Sequence, residues 1–104
     1  MDAAEKITAI TRGRPNTFYL DFNAHWNFGD TVEQAELMEC PEDQLDYPYW
    51  ESAEERDKAI AANSVWKVAY YWPSEHSYVG AKSITMDGAL DLLMKRLREA
   101  GLEL

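Results

Sequence analysis

Val65 to Trp72 alternates more strictly than any other run in the chain, so the fold must cover one of its two faces. Trp66, Val68, Tyr70 and Trp72 share one side, and Val65, Lys67, Ala69 and Tyr71 share the other. Large apolar rings two residues apart on a strand bury well against a helix, and the chain supplies one. Leu90, Leu93, Met94 and Leu97 follow the i, i+3, i+4, i+7 rule of an amphipathic helix. Asp87 is read as its N-cap, Asp91–Lys95 as a supporting i, i+4 pair and Gly101 as its stop. The Trp66/Tyr70/Trp72 face is accordingly expected to be core.

Tyr78 to Ile84 reads as the partner strand, reached through the polar connection Pro73-Ser74-Glu75-His76-Ser77. Thr17 to Asn23 also alternates, with Phe18, Leu20 and Phe22 on one face. Lys6 to Arg12 is read as a weaker strand, joined to it by the turn Gly13-Arg14-Pro15-Asn16 in an opening hairpin. Ser52-Ala53-Glu54-Glu55 has capping-box spacing and opens a helix to about Ala62, with Asn63 as a left-handed stop. Asp30 and Glu33 repeat that spacing before a helix over Thr31 to Glu39, which Pro41 ends. These elements predict an α+β fold: an antiparallel sheet of about four strands in two hairpins, packed against the C-terminal helix and two shorter ones. At 104 residues the chain is read as a single domain, 1–104, able to build a core without disulfide or metal support.

Charge is the second organising feature. Of the nineteen carboxylates, eleven fall between Asp30 and Asp57, where Arg56 is the only one of the ten Lys and Arg residues. That stretch carries −10, while the remainder, eight acids against nine bases, carries +1, for the formal net charge of −9. A polyanion repels phosphates, so direct binding of nucleic acid is not expected and a basic protein partner is. Glu33, Glu36 and Glu39 would share one side of the predicted helix and, with Glu42, Asp43 and Asp46, face Lys/Arg groups that bind phosphate. Tyr47, Tyr49 and Trp50 belong to residue types enriched at binding hot spots and would form the desolvated anchor. Glu51, Glu54 and Glu55 would extend the charge. Carboxylates three apart on a helix rise by about 4.5 Å. Phosphates on one DNA strand advance by about 3.4 Å per nucleotide, a comparable spacing.

Motifs for catalysis are missing. His25 and His76 are far apart, Cys40 is the one cysteine, and no HExxH, CxxC, GxGxxG or P-loop occurs. Ser74, Glu75, His76 and Ser77 adjoin in sequence, but a triad is assembled by the fold, and neighbours seldom point at one another. No metal, no cofactor and no enzymatic activity is expected. The lone cysteine, the acids Asp2 and Glu5 near Met1, and the lack of a long apolar run lead to the expectation of a cytoplasmic protein without a membrane partner.

In composition the chain resembles two groups of proteins. One is the phage-encoded inhibitors of bacterial defence, including anti-CRISPR proteins that imitate DNA; the other is the immunity proteins that neutralise nuclease toxins. The resemblance implies a small acidic inhibitor that occupies the basic nucleic-acid site of a partner protein or nuclease complex. It rests on small size, acidity and the lack of catalytic residues, and transfers no functional residue. A small hydrolase or ligand-binding domain using the Trp66/Tyr70/Trp72 face is the alternative from another class. A third reading is a structural interaction domain, with a homodimer or other homo-oligomer as one form, whose acidity only maintains solubility.

Overall fold

The computed structural model describes residues 1–14, 16–22, 49–72 and 77–104. Over these residues the protein is α+β, in the order α1 (Ala3–Thr11), β1 (Phe18–Phe22), α2 (Ala53–Ala61), β2 (Trp66–Trp72), β3 (Ser77–Ser83) and α3 (Met86–Glu99). The strands form one antiparallel sheet in the order β1-β2-β3. Leu20 and Ala81 flank Val68 on the central strand, which places Phe18, Leu20 and Phe22 on the same face as Trp66, Val68 and Tyr70.

That face is covered over β2 and β3, whereas Leu20 and Phe22 of β1 are exposed. Val68, Tyr70 and Ala81 meet Leu90, Leu93, Met94 and Leu97 of α3 and Ile10 of α1 in one buried cluster, with Trp66 and Trp72 half-buried against it. The aromatic alternation of β2 thus serves packing, as expected. Its rings fill the space between sheet and helix, with Tyr70 and Trp72 edge to face at 4.8 Å between centroids.

The expected opening hairpin is replaced by a helix. Lys6 to Arg12, read as a strand, lies within α1, and β1 pairs with β2 instead. The physical reason is a capping box at the start of the chain. Asp2 accepts from Glu5 N at 2.8 Å, and the Glu5 carboxylate accepts from Asp2 N at 3.4 Å. Ala3, Ile7 and Ile10 then fall at i, i+4 and i+7 and pack on the core, with Ile10 fully buried. Thr8 and Thr11 donate their hydroxyls back to Ala4 O (2.8 Å) and Ile7 O (3.0 Å), a bonding pattern that lets both sit within the helix. The helix ends on Arg12 in the left-handed region. Arg14 then folds back, donating to Ile10 O at 3.0 Å and Thr11 O at 3.1 Å, where a cation suits the helix end. The described sheet therefore has three strands where about four were expected.

The other two helices follow their sequence signals with two adjustments. Both end in the same way. Asn63 (φ 50°) and Gly101 (φ 92°) are left-handed, and Ser64 N and Leu102 N reach back to Ala59 O and Leu97 O at 3.0 and 2.9 Å. At the start of α3 the cap is Thr85, whose hydroxyl accepts from Gly88 N at 3.0 Å, not Asp87, which sits in the first turn. Asp91 pairs across to Lys6 of α1 at 2.9 Å rather than along its own helix to Lys95. Lys6 also reaches Asp87 at 3.4 Å, and these carboxylates, Asp91 foremost, hold its ammonium above the ordinary lysine value.

Candidate functional site

The acidic stretch is described only from Tyr49 onward. Glu33, Glu36, Glu39, Glu42, Asp43, Asp46 and Tyr47 lie outside the described residues, as do the predicted helix over Thr31 to Glu39, His25, Cys40 and Ser74 to His76. Beyond Tyr49 the charge is carried by the start of α2. Ser52 caps it by accepting from Glu55 N at 3.2 Å, and Glu54 and Glu55 occupy its first turn, where the helix dipole favours anions. Glu51 and Glu54 are exposed and Glu55 is half-buried.

Own-chain bases offset part of this charge. Lys58 lies 3.3 Å from Glu54 and 3.7 Å from Glu55, and these contacts raise its pKa, Glu54 contributing most. These are solvent-exposed pairs that contribute little to stability and are weakened by salt. Arg56 is wholly buried, with Nε 3.0 Å from Asp57. The one base within the acidic stretch is therefore turned into the protein and adds no exposed cation beside Glu54 and Glu55.

Trp50, read from the sequence as an anchor for a partner, is only 2% exposed. It forms a second small core with Ala59 of α2 and Val65, bordered by Tyr49, Ile60 and Ile84. Its ring is therefore not available at the surface; it fastens the end of the acidic stretch to the body. Arg96 of α3 completes the fastening. Its guanidinium donates to Trp50 O at 3.0 Å and to Gly80 O at 2.7 Å, bridging α3, β3 and the acidic stretch. Burial lowers the Arg96 pKa, while Glu99 and Glu51 oppose that shift.

Tyr49 lies across the other face of the sheet. Its ring rests on Gly80, where an added Cβ would come within 2.6 Å of two ring carbons, so a side chain there would displace it. It stacks near Tyr78 at 12° and its hydroxyl hydrogen-bonds that of Tyr78. The ammonium groups of Lys67 and Lys82 lie 4.9 and 5.5 Å from its centroid. Beside this group a hollow of about 320 Å³ opens over Ala69, lined by Tyr19, Asp21, Lys67, Tyr71 and Tyr78. Sequence alternation assigns Lys67, Ala69 and Tyr71 to one face of β2, but does not say which face a helix would leave open. The expectation of ligand chemistry fell on Trp66, Tyr70 and Trp72, whereas the hollow is on the opposite side.

Compared with protein-family models, with curated proteins and with solved structures, the chain matches none. Among the described residues, no group of three or more His, Cys, Asp or Glu side chains could hold a metal ion. No described helix is long and apolar enough to cross a membrane.

Proposed function

We propose that the protein is a non-enzymatic inhibitor that presents residues 30–57 to a basic partner protein, at the surface where that partner holds nucleic acid. The carrying observation is the charge asymmetry, −10 in 28 residues against +1 in all the rest. Concentrating like charge opposes folding, so a compensating use is expected. Two structural features support this reading. Glu51 and Glu54 stand exposed at the start of α2 while Arg56 is turned inward. Trp50 and Arg96 pin the end of the stretch to the core, which lowers the ordering cost of presenting its charge. An anti-defence inhibitor of the anti-CRISPR kind is the context that best fits this proposal. The packing of Trp66, Tyr70 and Trp72 against the core counts against the hydrolase reading on that face.

The test is affinity capture on the immobilised full chain at low and high salt, with two charge-reversed variants. Glu33→Lys/Glu36→Lys/Glu39→Lys and Glu51→Lys/Glu54→Lys/Glu55→Lys are each expected to weaken capture of a basic, nucleic-acid-binding protein by about tenfold or more. Three reversed rim charges need contribute only about 0.5 kcal/mol each for that loss. Raising the salt should weaken the wild-type complex in the same direction. Capture of the same principal partner at full strength by both variants, undiminished by salt, would rule the acidic surface out as the contact.

A further inference from the structure

The hollow over Ala69 has a makeup that the acidic stretch does not explain. Its walls are the rings of Tyr19, Tyr71 and Tyr78, its floor is the Ala69 methyl group, and Asp21 and Lys67 stand at one end. Its volume of about 320 Å³ falls at the lower end of small-molecule sites. Tyr19 and Tyr78 are 52% and 57% exposed, so two large rings remain uncovered around a small-residue floor. Cross-strand register fixes this arrangement. Tyr19 lies opposite Ala69, Tyr71 opposite Tyr78, and Asp21 opposite Lys67.

We propose that this hollow binds a small free organic cation bearing a methylated ammonium group. The faces of tyrosine rings are electronegative, and several of them around one cavity attract a quaternary ammonium that gives up its water easily. Asp21 supplies a full negative charge at the rim. The ammonium groups of Lys67 and Lys82 lie within 6 Å of the adjoining Tyr49 centroid, so a tyrosine ring on this face takes up cations, though both charges oppose a further one. Lys67 is the opposing charge among the lining residues, and its ammonium is engaged with Tyr49. A planar anion is the competing chemistry: Lys67 would favour it, and Asp21 opposes it.

The probe is choline, titrated into the full chain and followed by backbone amide shifts, beside 3,3-dimethylbutan-1-ol, its uncharged carbon isostere. Choline is expected to shift the amides of Tyr19, Ala69, Tyr71 and Tyr78 along a saturable curve with a roughly millimolar Kd. The isostere should bind about tenfold more weakly, the difference expected for the cation–ring attraction of several tyrosines. Tyr19→Leu, at an exposed position on β1, should remove most of the choline response. Asp21→Asn should weaken it several-fold, and Lys67→Met should strengthen it. Equal binding of choline and the isostere, or no saturation at about 50 mM, would overturn the proposal. So would shifts from phosphatidylcholine vesicles but not from free choline, or tighter binding of benzoate that is lost in Lys67→Met.

Discussion

Trp50→Ala is expected to lower stability by about 3–5 kcal/mol, the usual cost of emptying a buried tryptophan site. In a domain of this length each kcal/mol is worth roughly 4–8 °C, so Tm should fall by roughly 20 °C. The ring is 2% exposed and holds Ala59 and Val65 together, so its removal opens a cavity that α2 would have to move to close. Trp50→Phe should cost much less, about 1 kcal/mol, because among the described residues the Trp50 Nε1 has no hydrogen-bond partner to lose. Thermal unfolding followed by circular dichroism separates the two variants. Equal losses for Ala and Phe would show that the indole N–H, not the ring volume, carries the contribution.

Removing the Arg96 guanidinium has the next largest effect. Arg96→Met keeps the apolar stem against α3 but leaves Gly80 O and Trp50 O without their charged donor. Hydrogen bonds from charged donors contribute about 1.5–3 kcal/mol each, and some of that returns if water enters, so a loss of about 2–4 kcal/mol is expected. Arg96→Lys should recover little, since a single ammonium does not present the planar fork that spans the two carbonyls. Denaturant unfolding checks this: stability of the lysine variant close to wild type would mean that one carbonyl, not the bridge, accounts for the contribution.

What the sequence made legible followed how local each signal was. Leu90, Leu93, Met94 and Leu97 identify the buried stripe of α3 because helical periodicity and burial coincide there. Ser52 and Asn63 bound α2 because caps and left-handed stops are side-chain properties read directly from residue type. The error at α1 was one of competing periods. Over Lys6 to Arg12 a short run offers too few positions to separate 2 from 3.6, and the deciding Asp2–Glu5 box lies just before it. Asp91 pairing with Lys6 rather than Lys95 is a tertiary choice, since α1 packs where the local rule takes only one helix into account.

The candidate sites were legible in a different measure. The −10 stretch is a fact of the sequence alone, and Glu51 and Glu54 are exposed where the structure describes it. Residue type could not tell that Trp50 belongs to the chain's own core, because tryptophan is as much a core residue as a hot-spot residue. Nor could it bring Tyr49 onto Gly80, a contact across 31 positions that sets Tyr49 beside Tyr78 of the tyrosine hollow. A glycine within an otherwise regular strand was the available hint, since such a position often marks the close approach of another group.

Displacement of nucleic acid from the captured partner is the most direct test of the acidic stretch as a substitute for phosphate. The partner is loaded with a fluorescent oligonucleotide and the protein is added in stoichiometric amounts while anisotropy is followed. Release of the oligonucleotide in proportion to the protein added, lost in the Glu33→Lys/Glu36→Lys/Glu39→Lys variant, is the predicted result. A stable complex in which the partner carries the oligonucleotide and this protein together would contradict it.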